Sequence, residues 1–183
     1  MRLYVVQKLA KSLIPREARL PKTIAGFPTD VIESPMARIH MPSCSQDRRR
    51  RLRPYVGGIS AAHQAVVLKT TLGCFCHSVV QGEDEKLFML GCNHGFANVN
   101  GGAPGDAIWQ PSPGDGGTSA DRIGRLSRFV PIQLGYSQNH VDAAISEVGS
   151  ERNARNAICR IGPLTGIAPA TVGLIVCPHG RTT

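Results

Sequence analysis

A thiol and an imidazole stand two positions apart in the segment LFMLGCNHGFANVN, residues 87–100. Its first four residues, 87–90, are apolar and typical of a strand, and Cys92 and His94 follow almost directly. His94 could be a packed core residue, a metal ligand together with Cys92, or the catalytic base of a hydrolase. A histidine that ends a strand and opens a polar turn is well placed to project into a cleft.

A histidine base needs a carboxylate to hold its ring in one tautomer and a nucleophile to deprotonate. Asp142 is the best candidate for the carboxylate, because HVDAAISEV surrounds it with apolar residues and predicts that it is buried. A buried, ionised carboxylate without a partner is costly. We therefore expect Asp142 to pair with His94.

A metal site is the alternative for the residues around His94. Cys74, Cys76 and His77 lie on a predicted strand that should pair with the strand before Cys92 and His94. The spacings C-x-C-H and C-x-H differ from the usual C-x₂₋₄-C of zinc sites, and alternation puts His77 on the opposite face from the two thiols. We favour thiols lining an apolar core, with no metal and no cofactor. The other histidines are expected at the surface or in turns: His40, His63, His140 and His179.

Composition favours a mainly β chain. The 183 residues include 20 glycines and 13 prolines, which predict short strands and many turns, and 42% are hydrophobic, which is enough for a core. The net charge is +8, and the run DRRRRLRP at 47–54 could contact phosphates. It contains no aromatic residues on which bases could stack, so we expect a solvated loop and consider a nucleic acid partner unlikely.

No apolar stretch approaches the roughly 20 residues of a membrane span, and residues 1–15 do not resemble a signal peptide. These features predict a cytoplasmic chain without membrane contact, whose six cysteines are reduced thiols.

The chain divides into a small N-terminal extension at 1–40, a basic linker at 41–54 and a main body at 55–183. Strands are predicted at 2–9 and 24–33 in the extension. In the body they are predicted at 65–80 with a bend at Gly73, at 86–92, around Ile108, and at 123–132, 141–148 and 170–177.

Several segments, in order, resemble a bacterial branch of the trypsin-like (chymotrypsin-fold) serine peptidases. They are TLGC (71–74), LGCNH (90–94), GDAIWQPSPGDGG (105–117), ADRIGRLSRFVPI (120–132), VDAAI (141–145) and HGRTT (179–183). Upstream, LPKTIAGFPTDVIE and RPYVGGISAAH resemble segments that precede the peptidase body in this branch. The resemblance covers nearly the whole chain.

The resemblance implies two small antiparallel β-barrels with the site in the cleft between them. It implies that His94 is the general base and Asp142 the acid that orients it, acting on a peptide or protein substrate. In the family an Asn-Asn-His motif precedes a bulky aliphatic residue, whereas this chain has Cys92-Asn93-His94-Gly95. We expect Gly95 to loosen the turn that holds the histidine.

The family's nucleophile is the serine of a G-x-S-G loop that follows the HGRTT segment. No serine of this chain fits that role: Ser146 and Ser150 lie too close behind Asp142, and Ser119 in GDGGTSA precedes it. We therefore expect a mainly β, trypsin-like double barrel whose C-terminal barrel is incomplete, with a small N-terminal α/β extension. The expected function is that of a serine peptidase homologue, inactive as this chain. The alternative is a non-catalytic binding module that uses the barrel cleft for a peptide or the arginine run for an acidic partner or nucleic acid.

Overall fold

Short strands make up most of the regular structure in this computed structural model, which describes residues 2–5, 8–33, 47–135 and 138–183. In chain order the strands are β1 (Arg2–Val5), β2 (Thr23–Ile24), β3 (Phe27–Pro28), β4 (Asp30–Glu33), β5 (Tyr55–Gly57), β6 (Ile59–Ser60), β7 (Ala62–His63), β8 (Thr71–Leu72), β9 (Cys74–His77), β10 (Leu87–Gly91), β11 (Ala107–Trp109), β12 (Arg122–Phe129), β13 (Ala144–Val148), β14 (Ala154–Ile158) and β15 (Gly162–Pro163). The α-helix in these ranges is α1 (Asn93–Phe96). No helix of the described ranges has the length and apolar content of a membrane span.

The chain divides into two units, Met1–Ile39 and His40–Thr183. In the first unit β1 pairs with β4 in parallel, and β2 pairs with β3 in a tight hairpin. The helices described in this unit are two single 3₁₀ turns, so its observed strands are flanked by turns and not by an α-helix. Part of the predicted linker, residues 41–46, lies outside the described residues, as does His40.

The second unit contains a six-stranded sheet in the order β7-β11-β12-β13-β10-β9, in which every neighbouring pair is antiparallel. A three-stranded sheet, β15-β14-β5, and the pair β6-β8 complete the unit. The predicted mainly β class is confirmed. The sheets formed by the described residues are open, and none closes into a barrel.

The core lies in the second unit, where several strands bury some of their residues and expose others. In β12, for example, Ile123 and Leu126 are almost fully buried, whereas Arg122 and Arg125 are exposed. The core comprises these buried residues: Leu52, Tyr55, Ile59, Ala61, Leu72, Phe75, Met89, Phe96, Ala97, Ile108, Ile123, Leu126, Ala144 and Cys159.

The prediction of reduced core thiols is wrong in two respects. Cys159 is disulfide-bonded, while Cys74, Cys76, Cys92 and Cys177 are free. Cys74 and Cys76 are only partly buried and do not belong to the core cluster. Burial is still sufficient to raise the pKa of both thiols.

The strand predicted at 170–177 is not formed. These residues are exposed coil and turn, and Val172 and Ile175 present most of their side chains to solvent. A strand requires a neighbour to accept its backbone hydrogen bonds, and no described strand lies beside this segment. Apolar, β-branched composition alone could not reveal that a partner was missing.

The bend predicted at Gly73 is confirmed, because Gly73 separates β8 from β9. A Cβ atom added at Gly57 would lie 2.2 Å from the Gly73 carbonyl oxygen, which is closer than any side chain tolerates. Glycine at 57 therefore allows the two backbones to approach each other here.

Candidate functional site

Antiparallel pairing of β10 with β13 brings His94 and Asp142 together. Gly91, the last residue of β10, is opposite Ala144, the first residue of β13. The residues that follow β10 and those that precede β13 consequently share one end of the sheet. His94 and Asp142 are 48 residues apart in sequence, and they become neighbours through this register.

The imidazole of His94 is hydrogen-bonded to the carboxylate of Asp142. His94 Nδ1 lies 2.5 Å from Asp142 Oδ2. The other carboxylate oxygen, Oδ1, accepts the backbone N–H of Asn93 at 2.6 Å and, more weakly, that of His94 at 3.4 Å. Because an ionised carboxylate can only accept, Nδ1 carries the proton and the lone pair of Nε2 faces away from Asp142.

The pair is open to solvent, which corrects the expectation that Asp142 is buried. The side chains of His94 and Asp142 are 46% and 39% exposed. Partial burial raises the pKa of Asp142, but the hydrogen bonds from the His94 ring and the Asn93 backbone outweigh it and leave the pKa below its ordinary value. The carboxyl is therefore ionised at neutral pH, as the orienting role requires.

The turn that presents His94 is fixed by two buried or half-buried asparagines. Asn93 is fully buried, and its Nδ2 donates to Asn100 Oδ1 at 2.8 Å and to the Val130 carbonyl at 2.7 Å. Asn100 in turn donates its backbone N–H to Asn93 Oδ1 and its Nδ2 to the Ile132 carbonyl. No role was predicted for Asn100, and the available signal is that NHGFANVN places three asparagines within eight residues.

Gly95 does not loosen this turn, contrary to expectation. It is a buried residue of α1, and a Cβ atom at this position would lie 2.6–2.8 Å from three side-chain atoms of Thr70. Thr70 cannot easily move, because its hydroxyl donates to the Ala61 carbonyl. Glycine is therefore the residue that allows α1 to pack against Thr70.

Cys92 lies on the other side of the His94 ring from Asp142. Its Sγ is 3.4 Å from His94 Nε2. The residues form part of an open cleft of about 470 Å³, whose lining also includes Lys69 and Leu90. Burial raises the pKa of the Cys92 thiol, so the thiol is protonated and donates to the Nε2 lone pair.

None of the serines considered in the sequence is hydrogen-bonded to His94. Ser119 is exposed in a 3₁₀ turn, and Ser150 precedes another. Ser146 is fully buried within β13, and its hydroxyl lacks a hydrogen-bond partner among the described residues. In the described part of the chain, the ring of His94 has hydrogen-bonding contacts with Asp142 and Cys92.

The glycine-rich segment GDGG at 114–117 builds a buried ionic network. Asp115 Oδ2 accepts hydrogen bonds from Ser60 Oγ at 2.6 Å and from Arg181 Nε at 2.7 Å, and Arg181 Nη2 donates to Oδ1. The Arg181 and Asp115 side chains are 9% and 5% exposed. This pair, which was not predicted from the sequence, attaches the HGRTT segment to the body of the second unit.

His63 belongs to a second histidine–carboxylate pair, and the expectation that it lies at the surface is wrong. It is 3% exposed, and its Nε2 is 2.9 Å from Asp106 Oδ2. Its Nδ1 accepts the backbone N–H of Ala65 at 3.1 Å. Both ring nitrogens are therefore occupied, which suits a structural histidine.

The predicted pairing of the two cysteine-bearing strands is confirmed, with Cys76 opposite Phe88 and Cys74 opposite Leu90. Within the described ranges, no group of three or more His, Cys, Asp or Glu side chains is arranged to hold a metal ion.

Most arginines of the run at 47–54 have partners within the chain. Arg48 donates to the Gly180 carbonyl, and Arg50 and Arg51 pair with Asp47 and Asp121. Arg53 Nη1 donates to Gln110 Oε1 at 2.5 Å. Part of the arginine run is therefore engaged in hydrogen bonds and ion pairs within the chain.

Comparison with known proteins gives no family assignment: no protein-family model matches the chain, and no curated protein matches it.

Proposed function

We propose that the second unit carries the histidine and aspartate of a trypsin-like serine peptidase site. One observation carries the proposal: His94 Nδ1 lies 2.5 Å from Asp142 Oδ2, and Nε2 lies at an open cleft. This is the arrangement in which a carboxylate fixes the tautomer whose Nε2 can accept a proton, here from the Cys92 thiol that contacts it. His63 shows the contrast, because its second nitrogen is occupied by the backbone.

In the proposed reaction His94 Nε2 removes the proton of the attacking hydroxyl and later gives it to the leaving amine. Asp142 keeps its negative charge throughout and stabilises the imidazolium that forms. The backbone N–H of Asn93, bonded to Asp142 Oδ1, keeps the carboxylate oriented toward the ring. The substrate is a peptide bond of a peptide or protein bound in the cleft.

The proposed fold is the double barrel of that family, with the strands that carry both residues contributing to one barrel. The six-stranded antiparallel sheet supports this assignment, because β10 and β13 deliver His94 and Asp142 to one end of the same sheet. The resemblance places the nucleophile and the backbone donors of the oxyanion hole after the HGRTT segment.

The 183-residue protein itself is proposed to lack peptidase activity. No described hydroxyl is hydrogen-bonded to His94 Nε2, which contacts the thiol of Cys92. In a serine peptidase triad on a different fold, loss of the nucleophile alone lowers kcat by about 10⁶-fold. Peptide hydrolysis by this chain should therefore not exceed that of its His94→Gln variant.

The decisive test is the coding DNA after codon 183. A G-x-S-G segment with further strand patterns within about 100 codons, the length of a small domain, supports the proposal. The longer protein should then react with a fluorophosphonate probe, and His94→Gln should abolish the reaction. Absence of such a segment from all three frames contradicts the proposal.

The alternative function is binding of a peptide in the same cleft without catalysis. The observation in its favour is that the cleft is open beside His94 although no described hydroxyl lies at Nε2. Binding of an acidic partner by the arginine run would instead weaken steeply with salt. The ion pairs of Arg50 with Asp47 and of Arg51 with Asp121 neutralise part of the positive charge that such a partner would bind.

A further inference from the structure

Cys92, His94 and Asp142 form a continuous thiol–imidazole–carboxylate chain. Asp142 Oδ2 is 2.5 Å from His94 Nδ1, and Cys92 Sγ is 3.4 Å from His94 Nε2. All three side chains line the same open cleft. The carboxylate fixes the tautomer in which Nε2 can accept a proton, and the nearest group with a proton to give is the thiol.

We propose that Cys92 is a covalent modification site for small carbon electrophiles and that His94 is the base that activates it. In the reaction Sγ forms a bond to the electrophilic carbon, and the bond from that carbon to its leaving group breaks. The leaving group departs with the bonding electron pair, and the thiol proton moves to His94 Nε2. Asp142 remains ionised and stabilises the resulting imidazolium.

The other free thiols lack this arrangement. Cys74 and Cys76 are partly buried on β9, and no described histidine or carboxylate is hydrogen-bonded to either of them. Cys177 is exposed in the segment after β15. Because partial burial raises the pKa of Cys92, a neighbouring base is what would make this thiol reactive at neutral pH.

The inference extends the proposed base role of His94 but requires neither a serine nor a peptide substrate. An adduct on Sγ would occupy the space in front of Nε2 and block that nitrogen. In a peptidase built on this site, modification of Cys92 would therefore inhibit proton transfer.

The test is alkylation of the 183-residue protein with iodoacetamide, followed by mass mapping of each cysteine over time. General-base assistance is typically worth 10²-fold or more, so His94→Gln should slow the reaction of Cys92 by about 100-fold. Cys74, Cys76 and Cys177 should react at unchanged rates. They serve as internal controls, because a loosened fold would accelerate Cys74 and Cys76.

Asp142→Asn provides the second variant, since it retains the imidazole and the size of the acid. Asp142→Asn should also slow the alkylation of Cys92 and leave the rates of the other free cysteines unchanged. The proposal is overturned if Cys92 reacts no faster than Cys74 and Cys76, or if neither variant changes its rate. Failure of the peptidase proposal would appear separately, as a missing G-x-S-G segment or an unreactive longer chain.

Discussion

At the scale of single residues, the fate of the second ring nitrogen distinguishes the two histidine–carboxylate pairs. His63 is buried, donates to Asp106 and accepts a backbone N–H at its other nitrogen. His94 donates to Asp142 and directs its other nitrogen to the thiol of Cys92 in an open cleft. Both pairs consist of one histidine and one aspartate, so the exposure of the ring and the partner of its second nitrogen decide which imidazole can accept a proton from another group.

Replacing Asp142 by asparagine should change the tautomer of His94. The carboxylate holds the proton on Nδ1, and an amide that can also donate no longer imposes this choice. Ring ¹⁵N chemical shifts at neutral pH should move from the Nδ1–H form toward a mixture with the Nε2–H form. In a complete triad the same change lowers kcat by about 10⁴-fold.

Asp106→Asn is the matched control for this variant. It alters the partner of His63 and should leave the ¹⁵N shifts of His94 unchanged, since Asp106 contacts His63 and the Ala103 backbone. An unaltered His94 tautomer in Asp142→Asn would argue against the orienting role.

Gly95→Ala should destabilise the protein, because the new methyl group would overlap Thr70. Overpacking of this kind costs about 1–3 kcal/mol in the free energy of unfolding. Urea denaturation measures the loss. Thr70→Gly removes all three atoms that the methyl group would meet, so the double variant should lose less than the sum of the two single variants. Simple additivity would contradict the packing explanation.

At the scale of elements, the sequence allowed prediction of local pairings but not of distant ones. The β9–β10 hairpin followed from two apolar runs separated by a charged turn at 83–86. The parallel pairing of β5 with β14 joins residues about 100 positions apart and has no local signal. The His94–Asp142 pair was predictable, because a histidine base needs a carboxylate to orient its ring. The Asp115–Arg181 pair was not predictable, because nothing in the sequence around either residue indicates its partner.

The Arg181–Asp115 pair should contribute strongly to the attachment of residues 179–183. Arg181→Met leaves the buried Asp115 carboxylate with hydroxyl partners only, and removal of one member of a buried pair typically costs about 3–5 kcal/mol. Chemical denaturation should show this loss. Arg51→Met is the control: it removes a more exposed ion pair with Asp121 and should cost about 1 kcal/mol or less. Similar effects of the two variants would contradict a buried network.

At the scale of the whole molecule, Asp106, Asp115 and Asp142 are among the carboxylates of the second unit that link folding to pH. The pKa of Asp106 is lowered by the Ala103 backbone N–H and His63. Burial raises the pKa of Asp115, but the hydrogen bonds from Arg181 and Ser60 outweigh this effect and leave the pKa lowered. The pKa of Asp142 is lowered in the same way by the hydrogen bonds from His94 and Asn93. All three therefore ionise more readily in the folded chain than in the unfolded chain.

A carboxyl whose pKa is lower in the folded state stabilises the protein fully above its unfolded pKa, here the ordinary 3.8. That contribution is lost as the pH falls through the lowered folded values, because protonation then favours the unfolded chain. Urea denaturation should thus show stability declining below about pH 5 and most steeply below about pH 4. Asp115→Asn should flatten this decline. The net charge of +8 becomes more positive in acid, and the charge repulsion that results also destabilises the folded chain, but added salt screens it. If added salt abolished the decline in stability, charge repulsion and not these carboxylates would be its cause.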